Sequence, residues 1–145
     1  MKNHYVSIIR RGELSYIRSE LEQFGLSPLE GRLIGLLKDR CCSQEELGTC
    51  LDLDKGRIAR AISMLEAKGL ACRNTNDQNR RKKLVSLTEK GDGMYGKICE
   101  IYEAWNQICY QGFTEEEKRL NHEFIKRISQ NVQDYKKENG GRKNG

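Results

Sequence analysis

The sequence lacks the segments that would send a protein to or through a membrane. It contains no apolar run near the length of about 18 residues or more that a membrane-spanning helix requires. Its first residues, MKNHYVSIIRRGE, contain neither the apolar stretch nor the small-residue cleavage site of a secretory signal. We therefore expect a cytoplasmic protein that has no membrane partner.

Patterns that bind metals or catalyse reactions are also missing. The six cysteines form no Cys-x-x-Cys pair and the two histidines, His4 and His122, are far apart, whereas a zinc site needs closely spaced ligand pairs. There is no carboxylate pair, no nucleophile with a partnered histidine and no glycine-rich phosphate loop, which argues against an enzyme. We expect neither a metal nor a cofactor. In a reducing compartment the cysteines would be small buried hydrophobic residues, and a redox-sensing thiol is the alternative.

Positive charge is concentrated in about a quarter of the chain. Residues 54–90 hold ten lysines and arginines against four acidic residues, a net charge of +6, whereas the remaining residues hold 16 against 17. Like charges that stand side by side, as in NRRKKLVSLTEKG (79–91), repel one another unless an anion lies beside them. This distribution indicates a module that binds a polyanion.

The apolar spacing predicts a mainly α-helical chain with one small β-hairpin. A helix-turn-helix is expected over about residues 43–68, since the capping box SQEE (43–46) opens one short helix and Asp54 caps the next. A short strand, a polar turn and a second strand follow over about 70–88, which is typical of a wing. The predicted fold class is therefore a winged helix-turn-helix.

Helices are expected on both sides of this module. Apolar residues recur at helical spacing in residues 1–24 and again in 89–137, where the capping box TEEE (114–117) starts the last helix. The winged-helix core would occupy residues 25–91, with SPLE as the capping box of its first helix. The final residues, 138–145, have no apolar periodicity and are expected to be irregular.

Two basic elements flank the predicted helix-turn-helix and provide candidate contacts to double-stranded DNA. Lys55, Arg57 and Arg60 lie on the polar side of the second helix, and a helix fits the major groove. Arg80 and Arg81 lie in the wing, where an arginine can enter a narrow minor groove. Either element alone is compatible with an ordinary solvated surface, but the two together favour DNA. The predicted DNA-binding residues are Ser43, Gln44, Lys55, Arg57, Arg60, Arg73, Asn79, Arg80, Arg81, Lys82 and Lys83.

The flanking helices carry more apolar surface than one small domain is expected to bury. Pairing these helices between two chains would bury it and place two recognition helices about 34 Å apart on successive major grooves. A homodimer is therefore expected, and a helical bundle within one chain is the alternative. Tyr16, Tyr102 and Trp105 are candidates for a pocket that binds a flat ligand, although aromatic residues at helical spacing are more often core residues.

The order of these parts resembles the MarR family of winged-helix transcriptional regulators over about residues 5–137. The resemblance is carried by SQEELGTCLDLDKGRIARAISMLEAKGLACR (43–73) and NDQNRRKKLVSLTEKG (76–91). It implies a prokaryotic homodimer that binds near-palindromic operators, usually as a repressor, and is nucleoid-associated when bound to DNA. The resemblance also implies release by a small, commonly aromatic or phenolic, molecule that binds between the dimerisation helices and the DNA module.

The wing departs from the family pattern at two positions. In the family the wing usually reads Asp-x-x-Asp-x-Arg before a Leu-Thr-x-x-Gly stretch. Arg81 and LTEKG (87–91) match that pattern, whereas Asn76 and Asn79 replace both acids. An acid at the latter position orients the wing arginine in the family through a salt bridge, and Asn79 can replace it only with a neutral hydrogen bond.

Two other functions remain open within this interpretation. Some family members respond to thiol oxidation, and in the peroxide-responsive branch the sensing cysteine lies in the first helix. Residues 1–40 contain no cysteine here, so Cys41, Cys42 or Cys50 would have to act in another way. The other alternative is an architectural protein that binds nucleic acid with little sequence preference and needs no two-fold spacing.

Overall fold

The computed structural model describes residues 4–76 and 78–140, and of residues 76 and 79–81 it describes the backbone alone. The described chain is mainly α-helical with one small sheet, which confirms the predicted fold class. None of the helices in this part of the chain is long and apolar enough to cross a membrane. The elements are α1 (His4–Glu22), α2 (Pro28–Leu37), β1 (Cys42–Ser43), α3 (Gln44–Leu51), α4 (Lys55–Ala67), β2 (Ala71–Asn76), β3 (Asn79–Leu87), α5 (Glu89–Cys109) and α6 (Glu115–Asn139).

The helices begin where the sequence places their caps. The Ser27 hydroxyl accepts a hydrogen bond from the backbone N–H of Glu30, and the Glu30 carboxylate accepts one from the backbone N–H of Ser27, as predicted for a capping box. Thr114 and Glu117 form the same box at the start of α6. Asp54 caps α4. Each of these helix N-termini is held by hydrogen bonds between residues three positions apart in the sequence.

The helix-turn-helix consists of α3 and α4. Asp52 has the left-handed conformation at the end of α3 (φ 54°), and its backbone N–H bonds the carbonyl oxygen of Thr49. Beyond α4 the chain turns at Gly69, whose φ of 73° favours glycine, and the backbone N–H of Leu70 donates to Leu65 at 2.9 Å. The chain therefore leaves α4 through a glycine turn directly into the wing.

The wing is an antiparallel hairpin of β2 and β3, extended by the short strand β1. The strand order is β1-β3-β2, and Val85 of β3 stands opposite Cys42 of β1 on one side and Arg73 of β2 on the other. The sequence predicted the hairpin but not β1, because two residues have no recognisable period. Through β1, the start of α3 is bonded to the wing.

The chain divides into two compact units, the first ending at Asn106 and the second beginning at Gln107. In the first unit α5 approaches the turn after α4 so closely that a Cβ on Gly91 would lie 1.9 Å from the carbonyl oxygen of Leu70. The core of this unit includes Ile17, Leu21, Leu33, Ile34, Leu37, Leu47, Ile58, Ile62, Leu65, Val85, Ile98 and Ile101.

Two helices expose apolar side chains that helical spacing assigned to buried faces. In α1, Ile17 and Leu21 are buried, but Ile9 and Leu14 are 56% and 44% exposed. In the second unit α6 has no buried residue, and it exposes Phe124, Ile125, Ile128, Val132 and Tyr135. Helix α6 continues to Asn139, two residues into the segment expected to be irregular, and residues 141–145 lie outside the described part of the chain.

Candidate nucleic-acid interface

Helix α4 carries three exposed cations outside its buried stripe. Ile58 and Ile62 are completely buried, whereas Lys55, Arg57 and Arg60 are exposed. None of these three cations forms an ion pair with another described residue. The predicted recognition helix therefore offers three exposed cations that no described acidic residue neutralises.

Arg73 does not offer its charge to solvent, which corrects the expectation that it is a free DNA contact. Its side chain is 19% exposed, and its guanidinium donates to four groups of the protein. Nε donates to Oε1 of Gln44 at 2.8 Å, and one terminal nitrogen pairs with Glu66. The other donates to the carbonyl oxygen of Ala59 at 3.0 Å and to Oγ of Ser63 at 3.3 Å. These bonds use four of the five N–H groups of the guanidinium.

The start of α3 also differs from the prediction. Ser43 was expected to contact DNA, but it is 3% exposed and its hydroxyl caps α3 by accepting from the backbone N–H of Glu46 at 3.1 Å. Gln44 is partly exposed, and its amide oxygen is held by Arg73 while its amide nitrogen makes no hydrogen bond with described residues. The Ser43 hydroxyl is therefore used as a helix cap, and Gln44 keeps the two N–H groups of its amide for DNA.

The base of the wing carries two exposed lysines. Lys83 makes no ion pair with a described residue, whereas Nζ of Lys82 lies 3.5 Å from Oε1 of Glu46. Both partners of that pair are about half exposed, so the pair is weak and Lys82 can exchange it for a phosphate. The side chains of Asn79, Arg80 and Arg81 lie outside the described residues, and their predicted contacts stay predictions.

An open hollow of about 670 Å³ lies against the first turn of α4. Of the three aromatic candidates Tyr102 lines this hollow, whereas Tyr16 and Trp105 stack on each other with ring centroids 5.3 Å apart and are not among its lining residues. Burial raises the pKa of the Tyr102 phenol above the ordinary value of 10.0, at which a tyrosine is already a neutral hydrogen-bond donor at pH 7. The charged residues of the hollow, which the sequence did not single out, are Arg10, Glu13, Arg18, Arg32 and Arg57.

The six cysteines are not joined by disulfides, and most of them are not the buried residues that the sequence suggested. Cys41, Cys50, Cys99 and Cys109 are exposed, and only Cys42 is buried. Burial raises the pKa of the Cys42 thiol, which makes it less reactive. No group of three His, Cys, Asp or Glu residues in the described segments could hold a metal ion.

Known proteins share this architecture. Residues 34–91 match the model of the winged helix DNA-binding domain. The HTH-type transcriptional regulator BilQ of Clostridium symbiosum (strain WAL-14163) is 28% identical over 123 residues, which cover 80% of this chain and 81% of the relative. A Listeria monocytogenes protein, described as a MarR family transcriptional regulator and crystallised with 26mer DNA, is 29% identical with a TM-score of 0.85, covering 92% of this chain and 91% of its own. The MarR transcriptional regulator of Methanosarcina mazei Go1 is 27% identical with a TM-score of 0.83, covering 90% and 94%.

Proposed function

Because the chain belongs to the MarR family of winged helix-turn-helix transcriptional regulators, we propose that it is a homodimeric repressor of near-palindromic operators. It is a DNA-binding regulator and not an enzyme. The observation that carries the proposal is the set of three exposed cations on α4, since Lys55, Arg57 and Arg60 have no acidic partner among the described residues. A polyanion would neutralise these cations, and a helix of this size fits a major groove.

The contacts divide into base readout and backbone positioning. Arg57 and Arg60 are assigned to base edges, because arginine can hold guanine with two hydrogen bonds, and Lys55 is assigned to a phosphate. Lys82 and Lys83 at the base of the wing are likewise assigned to phosphates. The wing residues Asn79, Arg80 and Arg81 are proposed to lie at the adjacent minor groove.

The homodimer is supported by the apolar residues that single helices leave exposed. Tyr5, Val6, Ile8 and Ile9 on α1 are each more than half exposed, and α6 has no buried residue at all. Exposed apolar surface of this extent is typical of a subunit interface. Light scattering at micromolar concentration should give twice the mass of one chain, and the mass of a single chain would contradict the dimer.

The effector is proposed to be a small aromatic or phenolic anion that binds in the hollow next to α4. Four arginines against one glutamate favour an anion, and the neutral phenol of Tyr102 can donate a hydrogen bond to it. Release of DNA should be titrated with 4-hydroxybenzoate as the probe. Arg32→Met should weaken that release at least about tenfold. Arg11→Met, on an exposed residue of α1 that does not line the hollow, is the matched control.

The operator itself can be selected by the purified protein from a pool of random-sequence duplexes. The expected result is a near-palindromic consensus whose half-sites are centred about one helical turn apart. The selected duplex should bind at least about 10³-fold more tightly than a random duplex at physiological salt. Equal affinity for the two duplexes would contradict the proposal and favour an architectural role. The protein would then act in the cytoplasm as a nucleoid-associated protein that binds DNA with little sequence preference.

A further inference from the structure

One side chain joins the three elements of the DNA-binding module. Arg73 belongs to the wing strand β2, where it stands opposite Val85 of β3. Its guanidinium reaches Gln44 at the start of α3 and three groups along α4, those of Ala59, Ser63 and Glu66. Because the guanidinium is planar, four bonds to fixed partners define both the position and the orientation of α4 relative to the wing.

The partners of Arg73 on α4 lie close to the residues that face DNA. Ala59 directly precedes Arg60, and its carbonyl oxygen accepts from Arg73 at 3.0 Å. Ser63 follows Arg60 by three residues, and Glu66 follows Ser63 by another three. A movement of the Arg73 side chain would therefore change the orientation of the helix that carries Arg57 and Arg60.

The bond to Gln44 also has a chemical consequence. Arginine has only donors, so the group of Gln44 that faces Arg73 Nε at 2.8 Å must be the amide oxygen. The two N–H bonds of the amide then have no partner among the described residues, whereas the oxygen has already accepted one hydrogen bond. A glutamine that recognises adenine must present its oxygen and its N–H to the base together, so this arrangement favours donation to a phosphate.

We propose that Arg73 is a positioning residue for DNA recognition, which fixes α4 against the wing and holds Gln44 as a donor towards a phosphate. This inference rests on the proposed function as a sequence-specific DNA-binding protein. It assigns Arg73 a role opposite to that of the exposed arginines, because its charge is neutralised inside the protein by Glu66. Arg73 should therefore determine which duplex is preferred and should not release counterions from DNA.

The test measures two quantities for each variant. The first is the ratio of affinities for the duplex selected by the wild type and a random duplex, and the second is the slope of log affinity against log salt. For Arg73→Met we expect the ratio to fall at least about fivefold, the lower end for a displaced base contact, with an unchanged salt slope. Loss of a phosphate contact would instead lower the slope by about 0.9 and weaken both duplexes equally.

Glu66→Gln provides an independent arm, because it removes the partner and leaves the arginine in place. If Arg73 positions α4, this variant also lowers the affinity ratio, and the double variant R73M/E66Q is no worse than R73M alone. If Arg73 were a DNA ligand restrained by Glu66, the freed guanidinium would tighten binding to both duplexes and raise the salt slope. That result would overturn the proposal.

Arg73→Lys separates positioning from charge, and it remains informative if R73M does not fold. Lysine keeps the positive charge but cannot reproduce the fork that holds Gln44 and Glu66 together. The proposal expects a lowered ratio for this variant, with circular dichroism and melting temperature as checks of the fold. Rescue of the wild-type affinity ratio by lysine would overturn the proposal that Arg73 is a positioning residue.

If the wild-type protein bound the selected and the random duplex equally well, the proposed function would be refuted. The salt slopes of the variants would still test the role of Arg73.

Discussion

The ammonium of Lys68 lies 2.7 Å from Oε2 of the buried Glu30 and 2.6 Å from the carbonyl oxygen of Gly25. Glu30 stands in the first turn of α2 and is 5% exposed, and Lys68 follows the last residue of α4. The same carboxylate accepts the backbone N–H of Ser27 in the capping box. One buried anion therefore joins the end of α4 to the start of α2.

Lys68→Met should destabilise the protein because it leaves the Glu30 carboxylate buried without its cation. A buried charged group that loses its partner costs about 2–3 kcal/mol in free energy of unfolding, measured by denaturant titration. Lys118→Met is the matched control, since Lys118 pairs with the exposed Glu115 at 3.0 Å. Exposed pairs of this kind contribute less than about 1 kcal/mol. Equal effects of the two variants would show that Glu30 does not depend on Lys68.

Gly91→Ala should be strongly destabilising although α5 is helical at this position. An added Cβ would lie 1.9 Å from the carbonyl oxygen of Leu70, so the backbone of α5 or of the turn after α4 must move. We expect a loss of at least about 1–3 kcal/mol, as found for overpacked sites. Thermal unfolding measures the effect.

Gly93→Ala is the matched control in the same helix. A Cβ at Gly93 meets nothing within 4 Å, and alanine is the better helix former by about 0.5–1 kcal/mol. This variant should therefore melt at a higher temperature than the wild type. The prediction is wrong if G91A also melts at or above the wild-type temperature.

Local features of the fold could be predicted from the sequence because their partners are close together in the chain. The capping boxes at Ser27 and Thr114 join residues three positions apart, and each is present in the structure. The hairpin was also predicted, since its two strands are separated only by a short polar turn. The winged helix-turn-helix follows from these features taken in order.

The role of individual cations could not be predicted in the same way. The sequence assigned Arg73 and Arg60 alike to DNA, but Arg73 pairs with residues 7 to 29 positions away and Arg60 has no acidic partner among the described residues. No local pattern encodes such pairs, because tertiary packing decides which charge is covered. Ser43 was misjudged for the same reason, since its strand pairing to β3 buries it.

Glu46→Gln should tighten binding to DNA of any sequence. The Glu46 carboxylate lies 3.5 Å from Nζ of Lys82, and this pair must open before Lys82 can contact a phosphate. Because exposed pairs contribute less than about 1 kcal/mol, we expect a gain of at most about fivefold, seen equally on selected and random duplexes. Fluorescence anisotropy at several salt concentrations measures it.

Glu45→Gln is the control for the loss of a negative charge near DNA. It removes a carboxylate from the neighbouring residue of the same helical turn, and Glu45 has no ion pair with a described residue. If both variants tighten binding by the same factor, the gain comes from net charge and not from Lys82. A larger gain for E46Q supports a phosphate contact by Lys82.

The Tyr102 phenol should make the protein less stable in alkaline solution. Burial raises its pKa above the ordinary value of 10.0, so above that pH the folded chain retains a proton that the unfolded chain releases. The free energy of unfolding therefore falls as the pH rises above about 10, and this loss continues until the pH passes the pKa of the folded state.

Tyr102→Phe has no proton to release, so its free energy of unfolding should fall less steeply over the same range. Lys38 and Tyr95, whose pKa values are also raised, are unchanged in the variant, so the difference between the two curves isolates Tyr102. Parallel curves for the wild type and the variant between pH 9 and 11 would show that burial does not raise the pKa of this phenol.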